Sequence, residues 1–121
     1  SPRWAAQTVF RDGASHFFDS PIDMFAFLQR IDRYNKRYVQ EDIAVSYVTD
    51  FQSGQWIEAH RACLLQGSTA MGPMRGADLP AFSTREAAED FSRNQRGKVL
   101  AFEQVTPELI QSMNRNTHHR H

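Results

Sequence analysis

The chain has little cysteine, no excess charge of either sign and no long apolar run. Its single cysteine, Cys63, excludes an internal disulfide and any metal site built from paired cysteines within these 121 residues. The 14 basic side chains balance the 14 acidic ones, whereas binders of nucleic acids and membrane surfaces carry a basic excess. No apolar run approaches the roughly 20 residues of a membrane-spanning helix. Composition therefore predicts neither a nucleic-acid partner nor a membrane span.

The chain starts at Ser1 with neither an initiator Met nor a signal peptide, so we expect a mature or trimmed product. Its length is that of one domain. A domain of this length can bury a hydrophobic core, and that core is small enough to be divided between two lobes.

The first half carries the signals of two strands, a helix and a third strand. Asp12-Gly13 lies between two apolar runs and predicts a β-hairpin. Ser20-Pro21 supplies a helix cap and a proline at the first helical position, and apolar residues then recur at helical spacing as far as Tyr34. The β-branched run Ile43–Val48 predicts a buried strand. Residues 1–52 are therefore predicted to form a ββαβ lobe.

The second half repeats these signals. A helix is bounded by the start signature Ser83–Glu86 and by Gly97, and Thr106-Pro107 begins a terminal helix. The strand candidates are Trp56–Ala59, Ala62–Leu65, Leu79–Phe82 and Lys98–Phe102. We assign residues 53–113 to a second ββαβ lobe with a terminal helix, and residues 114–121 to a disordered tail. The predicted fold class is α+β.

Two pairs of phenylalanines support an internal duplication. Phe18 and Phe82 precede the two helix starts, Phe27 and Phe91 occupy matching helix positions, and the members of each pair are 64 positions apart. A degenerate ββαβ duplication is the economical interpretation. The alternative is that a strand, a phenylalanine and a capped helix recur by chance.

The stretch Gln66–Phe82 places Met71 and Met74 on a Gly/Pro-rich connection, where a thioether has no obvious core to fill. Thioethers select soft ions such as Cu(I), and they bind without losing a proton. Gly72 and Gly76 would let the backbone bring sulfur to a metal. The alternative is that these methionines fill a gap between the lobes, which is the common use of the residue.

Other candidate ligands have simpler explanations. Met24 lies on an apolar helix face and is expected in the core, whereas Met113 is expected in a fraying terminus. His16 is expected on a strand surface. His60 and Cys63 would face opposite sides of a strand, and Cys63 is expected to act as a small buried hydrophobe. The histidines that end the chain, from His118 to His121, receive no role.

Five segments, in order, carry a resemblance to a known family: Phe17–Phe25, Asp42–Asp50, Trp56–Ala59, Gly72–Met74 and Glu103–Glu108. They resemble the NosL family, the accessory lipoproteins of nitrous oxide reductase. The resemblance runs from near the first residue to about Ile110.

The resemblance implies two ββαβ lobes and a periplasmic or extracytoplasmic, lipid-anchored protein. It implies Cu(I) as the bound metal and copper supply to nitrous oxide reductase, or to another copper-handling protein, as the function. Met74 and Met71 are then the metal-binding candidates. Members usually carry a Cys-Gly-Met segment just before the position of Ser1, so this chain is expected to hold part of the copper site. The loop also departs from the family pattern, because Arg75 separates Met74 from Gly76.

Two other function classes compete with metal binding. An enzyme would need a nucleophile and a base, and nothing in the sequence places Cys63 beside His60 or His16. We therefore expect no catalysis. The serious rival is a metal-free protein-interaction module in a denitrification or metal-handling assembly.

Overall fold

The computed structural model describes residues 3–31, 37–72 and 76–118. This part of the chain contains seven strands and three α-helices. The strands are β1 (Ala6–Phe10), β2 (Ser15–Phe18), β3 (Ile43–Thr49), β4 (Trp56–Glu58), β5 (Cys63–Gln66), β6 (Ala81–Phe82) and β7 (Lys98–Ala101). The helices are α1 (Pro21–Gln29), α2 (Arg85–Gln95) and α3 (Pro107–His118). Short 3₁₀ turns cover Gln40–Asp42, Ala59–Arg61 and Phe102–Gln104.

The strands form two antiparallel sheets with the same topology. The first has the order β2-β1-β3-β4 and the second the order β6-β5-β7. In the first sheet β1 lies between β2 and β3, and in the second β5 lies between β6 and β7. Helix α1 connects β2 to β3, and α2 connects β6 to β7. The prediction of an α+β fold is confirmed, and that of two ββαβ lobes is confirmed in part.

Strand β4 departs from the prediction that it opens the second lobe. Tyr47 pairs with Glu58 and Thr49 pairs with Trp56, so β4 extends the first sheet. The turn that follows Thr49 is tight, because Gly54 donates its N–H to the Asp50 carbonyl at 2.8 Å. The chain therefore reverses directly onto β3 and forms a hairpin with it.

The duplicated phenylalanines make equivalent contacts. Phe18 on β2 packs against Phe27 on α1 with ring centroids 5.2 Å apart, and Phe82 on β6 packs against Phe91 on α2, also at 5.2 Å. Each pair fixes a helix on the inner face of its own sheet. The 64-residue spacing in the sequence thus corresponds to one structural contact made twice.

Besides a second, smaller core cluster (Trp4, Phe51, Leu65, Phe82 and Ala88), the two lobes share one main hydrophobic core. Its buried side chains come from both halves: Ala6, Ile22, Met24, Phe25 and Val48 from the first, and Ala59, Ala62, Leu64, Leu79, Ala81, Leu100, Val105, Ile110 and Met113 from the second. Helix α3 packs against α1, and the Gln29 side chain donates a hydrogen bond to the Val105 carbonyl at 3.1 Å. The lobes are therefore packed as one unit, because neither sheet covers its inner face alone.

The C-terminal ends of two helices differ from expectation. Helix α1 ends at Gln29, because Arg30 leaves the helical conformation and donates its N–H to the Phe27 carbonyl at 3.1 Å; Tyr34 lies outside the described residues. Helix α3 runs to His118, well into the segment 114–121 for which the sequence predicts disorder. No glycine or proline interrupts the chain after Pro107, so nothing local stops the helix.

No helix in the described part of the chain is both long enough and apolar enough to cross a membrane.

Candidate metal centre

The methionine loop, which comprises residues 71–77, is closed at its base by backbone pairing. Met71 and Ala77 form an isolated antiparallel bridge, and Gly72 donates its N–H to the Gly76 carbonyl at 2.9 Å. The connection between Gly72 and Gly76 contains Met74, which lies outside the described residues. The two ends of the loop therefore lie side by side.

Met71 differs from the two other described methionines in its exposure. Its side chain is 48% exposed at the loop base, whereas Met24 and Met113 are buried in the shared core. The prediction of a core Met24 is confirmed. The expectation that Met113 sits in a fraying terminus is wrong, because α3 packs onto α1 and carries Met113 into the core. Among the described methionines, Met71 is therefore the one with an exposed side chain.

Gly72 lies directly against the side chain of Asp78. A Cβ atom on Gly72 would be 2.7 Å from the Asp78 Oδ2 atom and 2.9 Å from the Asp78 Cβ atom. Contacts that short do not occur between real side chains, so glycine is required at this position for space. The base of the loop therefore has a carboxylate packed against it.

Asp78 caps helix α1 from the other half of the chain. Its Oδ1 atom accepts hydrogen bonds from the Ile22 N–H at 3.2 Å and the Leu79 N–H at 2.8 Å, and the Ser20 hydroxyl also donates to this carboxylate. Ser20 occupies the N-cap position but makes no side-chain cap bond of its own. Asp78 supplies that bond instead, and its acidic group is favoured by the positive end of the helix dipole.

Burial has the largest effect on the pKa of the Asp78 carboxyl. The side chain is only 6% exposed, and this desolvation raises the pKa of its carboxyl from 3.8 to about 6, against the opposing effect of its hydrogen bonds with Leu79, Ser20 and Ile22. Asp23 adds a like charge in the same direction. The pKa of Asp23 is raised in turn, first by burial and then by Asp19. The loop base therefore lies in an acidic neighbourhood.

The remaining candidate ligands are not brought to this loop. The His16 ring stacks on Phe18 at 5.3 Å, and the His60 ring lies against Phe102 at 4.1 Å. Cys63 is half-buried and packs against the second core cluster, which includes Phe82. Within residues 3–31, 37–72 and 76–118, no group of three His, Cys, Asp or Glu side chains is arranged to hold a metal ion.

The base of the loop offers few oxygen ligands among the described residues. Mg²⁺ and Ca²⁺ need six or more oxygen ligands, which this loop does not assemble among the described residues. A thioether is a neutral ligand that selects soft ions. Among the described residues, the base of the loop therefore presents one exposed thioether, that of Met71, and one buried carboxylate, that of Asp78.

Asp78 is the residue of this site that the sequence does not predict. Its one local signal is an acid between Ala77 and the apolar pair Leu79-Pro80, directly after the loop. The contact with Ile22 spans 56 residues, and neither periodicity nor spacing reports a contact at that distance in the sequence.

The chain is similar to a known protein family and to solved structures. The NosL family model matches residues 1–110. Among solved structures, the chain is similar to the crystal structure of the copper chaperone NosL from Shewanella denitrificans, with 25% identity and a TM-score of 0.71 over 86% of this chain and 79% of that chain. It is also similar to the solution structure of the apo-NosL protein from Achromobacter cycloclastes, with 27% identity and a TM-score of 0.59 over 87% of each chain. No curated protein sequence gives a match.

Proposed function

The chain belongs to the NosL family, and on that premise we propose that it binds Cu(I) at the methionine loop and delivers it to a copper-handling partner, nitrous oxide reductase. The observation that carries the proposal is the exposed thioether of Met71 at the base of a closed loop, while Met24 and Met113 are buried. Its role is binding and release of the metal, not catalysis.

The ligand chemistry agrees with a delivery role. Thioethers are neutral and need no deprotonation, so a Met71 and Met74 pair would take up and release Cu(I) without moving a proton. A thiolate would hold the ion more tightly through its charge. We infer that the loop supplies part of the ligand set, and that a Cys-Gly-Met segment ahead of Ser1 supplies the rest.

An anaerobic Cu(I) titration against bicinchoninic acid tests this proposal. We expect Met74→Ala and Met71→Ala to lower the affinity at least tenfold each. Met113→Leu is the matched control, because it also removes one thioether, and it should leave the affinity within twofold. A chain extended by Cys-Gly-Met before Ser1 should bind more tightly than the chain alone. Equal affinity in all the methionine variants would refute the loop as the site.

One surface supports a role in protein contact, with or without metal. On the face of the first sheet that points away from α1, Phe17 is 65% exposed and Trp56 is 49% exposed, and the Tyr47 ring lies 6.3 Å from that of Trp56. Exposed aromatic groups that lie together can form part of a binding surface, and Tyr47 and Trp56 lie together here. The metal-free interaction module is the second candidate function, and it is favoured if the protein binds its partner but no Cu(I) in the titration.

The site of action is a separate proposal. We propose that the full-length protein is held at a membrane by an N-terminal lipid and works in the periplasm or another extracytoplasmic space. Fractionation of cells that express the full-length gene, with and without substitution of the lipidated cysteine, tests it. Recovery of the unsubstituted protein in the cytoplasm would refute it.

A further inference from the structure

A cleft of about 300 Å³, which we call the interlobe cleft, lies between α1, the start of β3 and the segment that joins β7 to α3. Among the described strands, β4 pairs only with Tyr47–Thr49 at the end of β3, so the preceding part of β3 has an uncovered edge there. The cleft borders this uncovered part. None of the described residues that line it belongs to the methionine loop, so the cleft is a separate feature of the fold.

The walls of the interlobe cleft are largely apolar and partly aromatic. They come from both halves of the chain, as Phe25, Leu28 and Ile43 from the first half and Phe102, Val105 and Pro107 from the second. The Phe102 ring lies 5.1 Å from that of Phe25 and 4.1 Å from that of His60, an exposed side chain that also lines the cleft. Such rings favour a further ring in an offset-stacked or edge-to-face arrangement. The volume is at the lower end of the range for ligand pockets, so a suitable ligand is about one ring in size.

A buried hydroxyl pair supplies the cleft with a hydrogen-bond donor. The Thr8 Oγ1 and Ser46 Oγ atoms lie 2.9 Å apart, and both residues are almost completely buried. Each hydroxyl carries one proton, and their mutual hydrogen bond uses one of the two. Ser46 borders the cleft. When Thr8 donates to Ser46, the Ser46 proton is therefore available to an acceptor atom in the cleft, and pairing it recovers the cost of leaving a buried donor unbonded.

The charge around the cleft selects against anions. Glu103 is the one Asp, Glu, Lys or Arg side chain among the described residues that line the cleft, and it is exposed. Its carboxylate repels a negatively charged ligand. The apolar walls offer no compensation for a full charge of either sign. The lining therefore favours an uncharged ligand.

We propose that the interlobe cleft binds a small uncharged aromatic molecule of the phenol class, which is a single ring that carries one oxygen atom. The ring packs against Phe102 and His60, and the oxygen accepts a hydrogen bond from the Ser46 hydroxyl. This binding is a function additional to copper delivery and does not depend on it.

Titration of the ¹⁵N-labelled protein at pH 7.5, followed by ¹H–¹⁵N NMR, tests the ligand class with three matched probes. p-Cresol has the ring and the oxygen, toluene lacks the oxygen, and 4-hydroxybenzoate has a carboxylate in place of the methyl group of p-cresol. We expect p-cresol to shift the amide signals of Ser46 and Phe102, and the other two probes to bind at least fivefold more weakly. No binding of p-cresol, or equal affinity for all three probes, would overturn the proposal.

Two variants isolate the contribution of the Ser46 hydroxyl. Thr8→Val keeps this hydroxyl and its proton, whereas Thr8→Val combined with Ser46→Ala removes the whole buried pair and leaves neither hydroxyl without its partner. The preference for p-cresol over toluene should stay within twofold of the wild-type value in Thr8→Val and should disappear in the combined variant. This preference is a ratio measured on one protein, so a general loss of stability does not produce the change. A preference that survives in the combined variant would contradict the proposal.

His60→Ala tests the aromatic wall, and it decides the matter if the combined variant fails to fold, because His60 is exposed. The p-cresol affinity should fall at least threefold. His16→Ala is the matched control: the His16 ring also stacks on a phenylalanine, Phe18 at 5.3 Å, but does not line the cleft. Its affinity should stay within twofold of the wild-type value. Equal losses in the two variants would count against the cleft as the site.

N-Acetyltyrosinamide distinguishes a free ligand from a tyrosine side chain of a partner protein, because it carries the same phenol on a peptide-like group. A cleft that takes a free molecule should bind it more weakly than p-cresol. Equal or tighter binding would assign the cleft to a partner's side chain and overturn the proposal of a free ligand.

Discussion

The Ile22 amide donates a hydrogen bond to the Asp78 carboxylate at 3.2 Å, across 56 residues of sequence. This bond caps helix α1 with a residue of the second lobe. It also places the residue that follows the methionine loop against the first lobe. The geometry of the candidate copper site therefore depends on how the two lobes pack.

Gly72→Ala should weaken copper binding with no change of charge. An added Cβ would meet the Asp78 Oδ2 atom at 2.7 Å, so the loop base must move away from the carboxylate. We expect the Cu(I) affinity to drop by about tenfold, equivalent to about 1.4 kcal/mol. Gly54→Ala adds a carbon that meets no atom within 4 Å but strains the backbone at φ 77°, so it controls for destabilisation away from the loop. An unchanged affinity in Gly72→Ala would show that the contact with Asp78 does not shape the loop.

The stability of the metal-free protein should fall as the pH rises from 5 to 7 because of Asp78. Burial raises the pKa of this carboxyl from 3.8 to about 6, so the folded state binds the proton more tightly than the unfolded chain. The stabilising contribution is fully present below 3.8 and is lost as the pH rises through about 6, with a total of about 3 kcal/mol. Urea unfolding at pH 5 and pH 7 measures the part of this loss that falls above pH 5, about 1.4 kcal/mol.

Asp78→Asn isolates that pH effect from the other titrating groups. The pKa of Asp50 is held below 3.8 because its hydrogen bonds with Ser83, Gln52 and Ser53 outweigh its burial. The variant should therefore lose stability less steeply than the wild type between pH 5 and pH 7. The same slope in both proteins would contradict the raised pKa of Asp78.

The exposed and buried methionines should differ in their effect on folding. Met113→Ala removes a buried side chain from the contact between α1 and α3 and should lower the free energy of unfolding by about 2–5 kcal/mol. Met71→Ala removes a side chain that is about half exposed, and the change should stay within about 0.5 kcal/mol. Chemical denaturation of both variants measures this contrast. A large loss in Met71→Ala would mean that this thioether serves packing.

The sequence predicted the local elements well, because local chemistry determines them. Asp12-Gly13 forms the hairpin turn, Thr84 accepts the Ala87 N–H at 3.1 Å as the cap of α2, and the repeat of the phenylalanines corresponds to real contacts. The pairing of β4 was not predictable in this way. A three-residue strand can extend either sheet, and only the tight turn after Thr49 decides between them.

The sequence predicted only those parts of the candidate site that are determined by neighbouring residues in the chain. Met71 and Gly72 stood out by composition within one stretch of sequence. Asp78 and the burial of Met113 depend on contacts between the lobes, with Ile22 and with α1 respectively. Such contacts follow from tertiary packing, and a single sequence carries no local mark of them.

The most direct test follows the four methionine methyl groups of the chain during copper binding. With [methyl-¹³C]methionine, one NMR spectrum reports Met24, Met71, Met74 and Met113 together. We predict that one equivalent of Cu(I), added anaerobically, shifts the methyl signals of Met71 and Met74 and leaves those of Met24 and Met113 in place. Unmoved signals from Met71 and Met74 in a protein that has bound Cu(I) would contradict the account.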